Sequence, residues 1–199
     1  MNIPQLLILF RLLLAPILLG LAIFLGETAK PTILVLMYLG LLSDILDGII
    51  ARNQNISSAS LRRMDSQADM VFWLSIGLAT WILFPQLISN NSFSISVILA
   101  MEASCYFISF VKFKKETCTH AFLSKMWGLS LLAAFTSLIG FNHAGFPFHL
   151  TIVLGLISHL DRILITLILP KWTHDVPSAY HAYLIRKGIW FKRNPLLNG

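Results

Sequence analysis

The chain has 199 residues, 56% of them hydrophobic and only 12% charged, with a formal net charge of +6. Soluble domains carry about a quarter charged residues, so a chain of mean hydropathy +0.75 cannot cover its surface with polar groups. Soluble, fibrous and disordered classes are excluded; what remains is an all-α integral membrane protein, whose positive charge fits basic loops beside anionic lipid rather than nucleic acid.

Six apolar runs follow in chain order, at 6–25, 32–50, 71–88, 93–111, 127–141 and 150–169. A helical span needs about 20 residues, and the runs lack the strict alternation of barrel strands. The expected fold is therefore a six-transmembrane-helix bundle over 1–170, followed by a basic, aromatic cytoplasmic tail at 171–199. The first run has no basic segment before it and no small-x-small cleavage site, so it reads as a retained helix. Arg52, Arg62 and Arg63 follow the second run, Lys112, Lys114, Lys115 and Lys125 the fourth, and Lys171, Arg186, Lys187, Lys192 and Arg193 the sixth. The connections 85–92 and 142–149 have no Lys or Arg. The positive-inside rule then puts both termini in the cytoplasm. In the tail, 178–187 suits a short helix ended by Gly188, with Tyr180, Tyr183, Trp190 and Phe191 in the headgroup layer; a frayed basic tail is the alternative. Cys105, in an apolar run, and Cys118, in a basic loop, are expected to be free thiols.

The stretch 43–70, SDILDGIIARNQNISSASLRRMDSQADM, carries the chemistry. Asp44, Asp47, Gly48, Ala51 and Arg52 fall at i, i+3, i+4, i+7 and i+8, one face of a helix, and Asp65 and Asp69 share a face at i and i+4. An ionised carboxylate in a bilayer costs at least about 2.5 kcal/mol. Four of them on two facing helix ends need protons or cations. Hard divalent cations prefer such oxygens, and Mg²⁺ commonly joins carboxylates to phosphate. Gly48 and Ala51 remove side-chain bulk from this face, and the planar fork of Arg52 can pair with phosphate.

Asp44-x2-Asp47-Gly48-x2-Ala51-Arg52, then Asp65-x3-Asp69, resembles the signature of the CDP-alcohol phosphatidyltransferase family, with seven of its eight defining residues present. The resemblance implies two divalent ions, Mg²⁺ or Mn²⁺, held by Asp44, Asp47, Asp65 and Asp69, with Asp69 also the general base. It further implies that Gly48, Ala51 and Arg52 face the cytidine diphosphate, and that the protein is a homodimer. The start, Asn2-Ile3-Pro4-x-Leu6-Leu7-x2-Phe10-Arg11, resembles bacterial phosphatidylglycerophosphate synthases. The implied reaction moves a phosphatidyl group from CDP-diacylglycerol to a small polar alcohol, with glycerol 3-phosphate leading, at the cytoplasmic face of a bacterial inner membrane. Asp65-Ser66-Gln67-Ala68-Asp69 lacks the Pro and Leu common in glycerophosphate-using members, which keeps serine and inositol (phosphate) open as acceptors.

Leu61 departs from the family, which has glycine there. Either it crowds the nucleotide, so that Leu61→Gly improves donor binding with a modest loss of stability, or it packs within a rearranged pocket and the same change leaves a void. Leu61 also supports a non-catalytic lipid- or nucleotide-binding reading, and the buried aspartates alone would suit a cation-conducting protein. Arg11, a lone cation inside the first run, either supports the site, binds lipid phosphate or snorkels to the interface. Lys112, Lys114, Lys115, His120 and Lys125 are candidates for an anionic-acceptor pocket, with Lys125 the best because it begins a span; for the first three a positive-inside loop is the alternative. Glu102, His159 and Asp161 read as structural.

Overall fold

Every regular element is helical, and no strand occurs among the described residues, 2–54, 56, 58–117 and 121–191 of the computed structural model. Cys118, His120, Lys192 and Arg193 lie outside them. Helix α1 (Ile3–Leu25) starts in a reciprocal cap: the Gln5 amide donates to Asn2 Oδ1 at 3.1 Å, and the Asn2 amide to Gln5 Oε1 at 3.0 Å. Pro4 occupies its first turn, where the missing N–H costs nothing. A 3₁₀ turn, Gly26–Ala29, leads into α2 (Lys30–Asn53). Helix α3 (Ala59–Leu83) is capped by Ser58, whose hydroxyl accepts from the Leu61 amide at 3.2 Å. Phe84, pushed out of helical geometry by the following proline, ends it. Then come α4 (Pro85–Asn90), α5 (Ser92–Phe113), α6 (Phe122–Phe135), a π-helical turn at Thr136–Gly140, α7 (Phe146–Ile168) and α8 (Ala179–Lys187).

The stretches Ile3–Asn53, Ser92–Phe113, Phe122–Gly140 and Phe146–Ile168 are each long and apolar enough to cross a membrane, and the first comprises both α1 and α2. α3 is not among them, because Arg62, Arg63, Asp65 and Asp69 occupy its N-terminal half. The apolar run expected at 71–88 thus begins three turns too late. Hydropathy stops at the charges, whereas the helix continues through them to Ala59 and places Asp65 and Asp69 inside a regular helix.

The described chain forms two compact units, Met1–Asn91 with Leu132–Phe148, and Ser92–Leu131 with His149–Gly199. In the first, α1 packs on both α2 and α3. Each helix buries one stripe at helical spacing: Pro4, Ile8, Arg11, Ala15, Leu18 and Ala22 on α1, Ile33, Met37, Gly40, Ser43, Asp47 and Ala51 on α2, and Leu61, Asp65, Ala68, Phe72, Ile76 and Ala79 on α3. Residues on the other faces, such as Leu13, Ile17 and Phe24, are apolar and exposed, as lipid-facing positions require. The apolar part of this core joins Leu14, Leu18, Ile33, Met37, Phe72 and Ile76.

Gly40 is where α2 admits Phe72: a Cβ built there would overlap the Phe72 ring, which is itself only 1% exposed. Alanine in place of a helical glycine ordinarily stabilises by about 1 kcal/mol. Here the overlap reverses the sign, and Gly40→Ala should destabilise by about 1–3 kcal/mol, read as a lower Tm in detergent.

In the second unit, Glu102 on α5 binds two side chains of α7. Its Oε2 accepts from Arg162 Nη1 at 2.6 Å and lies 2.6 Å from His159 Nε2, and its Oε1 accepts from Arg162 Nη2 at 3.1 Å. Asp161 faces another way and caps α8, accepting from the Ala179 amide at 2.9 Å. Both findings fit the structural reading of Glu102, His159 and Asp161. Cys105 is a buried free thiol. The tail helix is formed: Ala182 packs with Ala121, Ile165, Leu169 and Val176, and Gly188 closes α8 in the left-handed conformation at φ 69°. Lys112 lies in the last turn of α5 rather than in a loop. Its ammonium donates to the carbonyls of Thr166, Leu167 and Leu169 at 2.7–3.0 Å and caps the C-terminus of α7. Lys112→Met should therefore lower stability by about 1 kcal/mol and increase amide exchange in the last turn of α7.

Candidate active site

The buried stripes of α1, α2 and α3 turn polar at one level, and there the four aspartates of the signature converge on Arg11. The Arg11 side chain is 0% exposed. Its Nη1 donates to Asp44 Oδ1 and Asp69 Oδ1, and its Nη2 to Asp47 Oδ2 at 2.6 Å and Asp65 Oδ1 at 2.7 Å. Each terminal nitrogen thus bridges one carboxylate of α2 and one of α3. Asp47 and Asp65 are buried, whereas the Asp44 and Asp69 side chains are each 31% exposed, so the cluster has an inner pair and an open outer pair. Arg11 Nε is buried without a hydrogen-bond partner.

Four carboxylates outnumber the guanidinium of Arg11, and even with the buried Arg62 acting on Asp47 the cluster needs protons or further cations to offset its charge. Asp44, Asp47 and Asp65 each offer a carboxylate oxygen within 4.8 Å of the other two. These are hard, anionic oxygen donors, the set a Mg²⁺-class ion takes. The donor chemistry therefore fits a divalent cation, and Arg11 shows that a cation can be gripped by all four carboxylates at once.

Beyond the aspartates, Gly48 lies under its own helix's Arg52: a Cβ built on Gly48 would sit 3.4 Å from Arg52 Nη1. Ala51 is 3% exposed and packs with Ile8, Ala68 and Leu61, itself 6% exposed, with Ile56 alongside. Leu61 is thus a buried side chain in the same apolar cluster as Ala51. Lys125 is exposed in the first turn of α6, in the second compact unit.

A sequence profile of the CDP-alcohol phosphatidyltransferase family matches residues 1–168. The chain belongs to that family. Neither curated proteins nor solved structures gave a match. CDP-alcohol phosphatidyltransferases are enzymes that move a phosphatidyl group from a CDP-alcohol to an alcohol acceptor, and the family's use of divalent metals agrees with the oxygen cluster of Asp44, Asp47 and Asp65. The match covers α1 to α7 and ends before α8.

The member of this phosphatidyltransferase site that sequence reasoning did not assign is Arg11. Of the three destinations open to it, the structure selects the cluster and not the interface. A signal was present: Arg11 stands on the same stripe as Pro4, Ile8, Ala15 and Leu18, so a charge there points inward.

Proposed function

We propose that the protein transfers a phosphatidyl group from CDP-diacylglycerol to the hydroxyl of a small polar acceptor, glycerol 3-phosphate foremost, and releases CMP. The observation that carries this reading is the convergence of Asp44, Asp47, Asp65 and Asp69 from two helices onto one cation-holding point, within a chain of this family.

Asp44, Asp47, Asp65 and Asp69 would hold two divalent ions, Mg²⁺ or Mn²⁺. Such ions, when bound, supply charge neutralisation at the diphosphate. Arg52, over the bare backbone of Gly48, binds donor phosphate; Gly48 and Ala51 give the nucleotide its approach, with Leu61 the side chain it meets at Ala51. Lys125 holds the anionic group of the acceptor. Asp69, on the open side of the cluster, takes the proton of the acceptor hydroxyl. The oxygen then forms a bond to the lipid-linked phosphorus, the bond from that phosphorus to the bridging oxygen breaks, and CMP carries away the electron pair. Positioning and electrostatics suffice, without a covalent enzyme intermediate.

In this reading residues 1–170 form one membrane domain of six spans and 171–199 a cytoplasmic tail, with both termini and the active site on the cytoplasmic side of a bacterial inner membrane. The distribution of basic residues supports that orientation, and the family resemblance supports a homodimer. The test is the purified protein in lipid nanodiscs with CDP-diacylglycerol, Mg²⁺ and, in parallel, glycerol 3-phosphate, serine, inositol and inositol phosphate, with the lipid product identified. A new lipid with glycerol 3-phosphate is expected. A product with another acceptor reassigns the acceptor alone. Nucleotide binding without any product would favour a non-catalytic homologue, and cation flux without nucleotide a conducting protein.

A further inference from the structure

We propose that Arg11 is the resident counter-cation of the aspartate cluster, a positioning residue that holds the four carboxylates together until divalent ions exchange for it. The inference rests on the metal reading of this site. The bonding pattern supports exchange over simple addition. Each terminal nitrogen of Arg11 is shared by one carboxylate of α2 and one of α3, so one side chain of α1 offsets charge on both acidic helices at once, beside the buried Arg62 that acts on Asp47. Three of the four aspartates it engages, Asp44, Asp47 and Asp65, are those that can share an ion. A divalent cation at those oxygens competes for the same lone pairs and repels the guanidinium at close range.

Two further features suit a group that withdraws. Arg11 is held in the cluster through its terminal nitrogens only, since Nε makes no hydrogen bond, so leaving breaks no bond along the stem. Asp44 and Asp69 are partly exposed while Asp47 and Asp65 are buried, so an arriving ion meets the Nη1 side first and the inner pair is released after it. The planar fork is what lets one charge serve four carboxylates; a lysine ammonium, a point charge on a shorter reach, would serve fewer.

The test uses the full-length protein in nanodiscs, with Mn²⁺ affinity read by electron paramagnetic resonance and Tm measured in EDTA and in Mn²⁺. The variants are Arg11→Gln, Arg11→Lys and, as a control on the metal site itself, Asp65→Asn. Arg11→Gln should melt below wild type in EDTA, bind Mn²⁺ at least ~10-fold more tightly, and gain more Tm from Mn²⁺ than wild type does. Arg11→Lys should also bind Mn²⁺ more tightly than wild type. Because it keeps the charge, that gain separates exchange from the mere removal of a positive group, and it carries the test if Arg11→Gln does not fold. A purely structural Arg11 would lower Mn²⁺ affinity along with stability. Mn²⁺ affinity at or below the wild-type value in the Arg11 variants, with Asp65→Asn losing Mn²⁺, overturns the role of Arg11 alone. Undiminished Mn²⁺ binding in Asp65→Asn overturns the metal reading and this proposal with it.

Discussion

Asp44→Asn, Asp47→Asn and Asp65→Asn should each lower phosphatidyl transfer by at least ~10²-fold while leaving the protein folded. The loss follows from ligand chemistry: an amide has the shape of the carboxylate but lacks its charge, so one oxygen of a three-aspartate group becomes a weak donor. Retention of fold follows from the surplus of negative charge around Arg11. Removing one of four carboxylates relieves repulsion, and the amide oxygen can still accept from the guanidinium. The check is initial rate against Mg²⁺ concentration, with Tm in parallel. Near-wild-type rates at limiting Mg²⁺ in two of the three variants would show that these residues do not hold the catalytic ions. Asp69→Asn differs in kind: as the base it should depress turnover while donor binding persists, and equal loss of both would make it chiefly a metal ligand.

Leu61→Gly should be the most destabilising single change at this level of the first unit. Leu61 belongs to one buried cluster with Ile8 of α1, Ala51 of α2 and Ala68 of its own helix. Emptying a buried leucine position costs about 2–5 kcal/mol, and glycine in place of alanine inside a helix costs about 1 kcal/mol more. Leu61→Ala therefore gives the cavity term and the Gly–Ala difference the helix term. The packed position of Leu61 favours the void outcome over the gain in donor affinity that the family's glycine suggests. Leu61→Gly should thus show a lower Tm and a weaker or slower donor interaction. A large fall in Tm with improved donor Kd would mean that the packed leucine also obstructs the nucleotide. Unchanged Tm in both variants would show that the cluster with Ile8 and Ala51 contributes nothing.

The helical class was legible, as were the four stretches among the described residues that are long and apolar enough to cross a membrane, because apolar runs bounded by charge and proline leave few alternatives. The aspartate constellation was legible for a different reason. Spacings of three and four residues put Asp44 with Asp47, and Asp65 with Asp69, on one helix face whatever the tertiary fold. The start of α3 was not, since a hydropathy window registers Arg62, Arg63 and Asp65 as an end, whereas a helix with a polar, inward-facing first half runs straight through them. Nor were the destinations of single charges. Arg11, Lys112 and Glu102 are each lone ionisable groups in or beside apolar runs, and only packing decides that they meet four carboxylates, three carbonyls and an Arg–His pair respectively. The burial of Leu61 was equally out of reach, because the cluster it joins draws Ile8 and Ala51 from other helices.

The most direct measurement of the central claim is CMP release from CDP-diacylglycerol by the wild-type protein and by Asp65→Asn, side by side, with Mg²⁺ and saturating glycerol 3-phosphate. Wild-type protein should release CMP in equal amount to new phospholipid, and Asp65→Asn, folded by its Tm, should release neither above background. Equal CMP and lipid formation by the two proteins would contradict the assignment of transfer to this aspartate cluster.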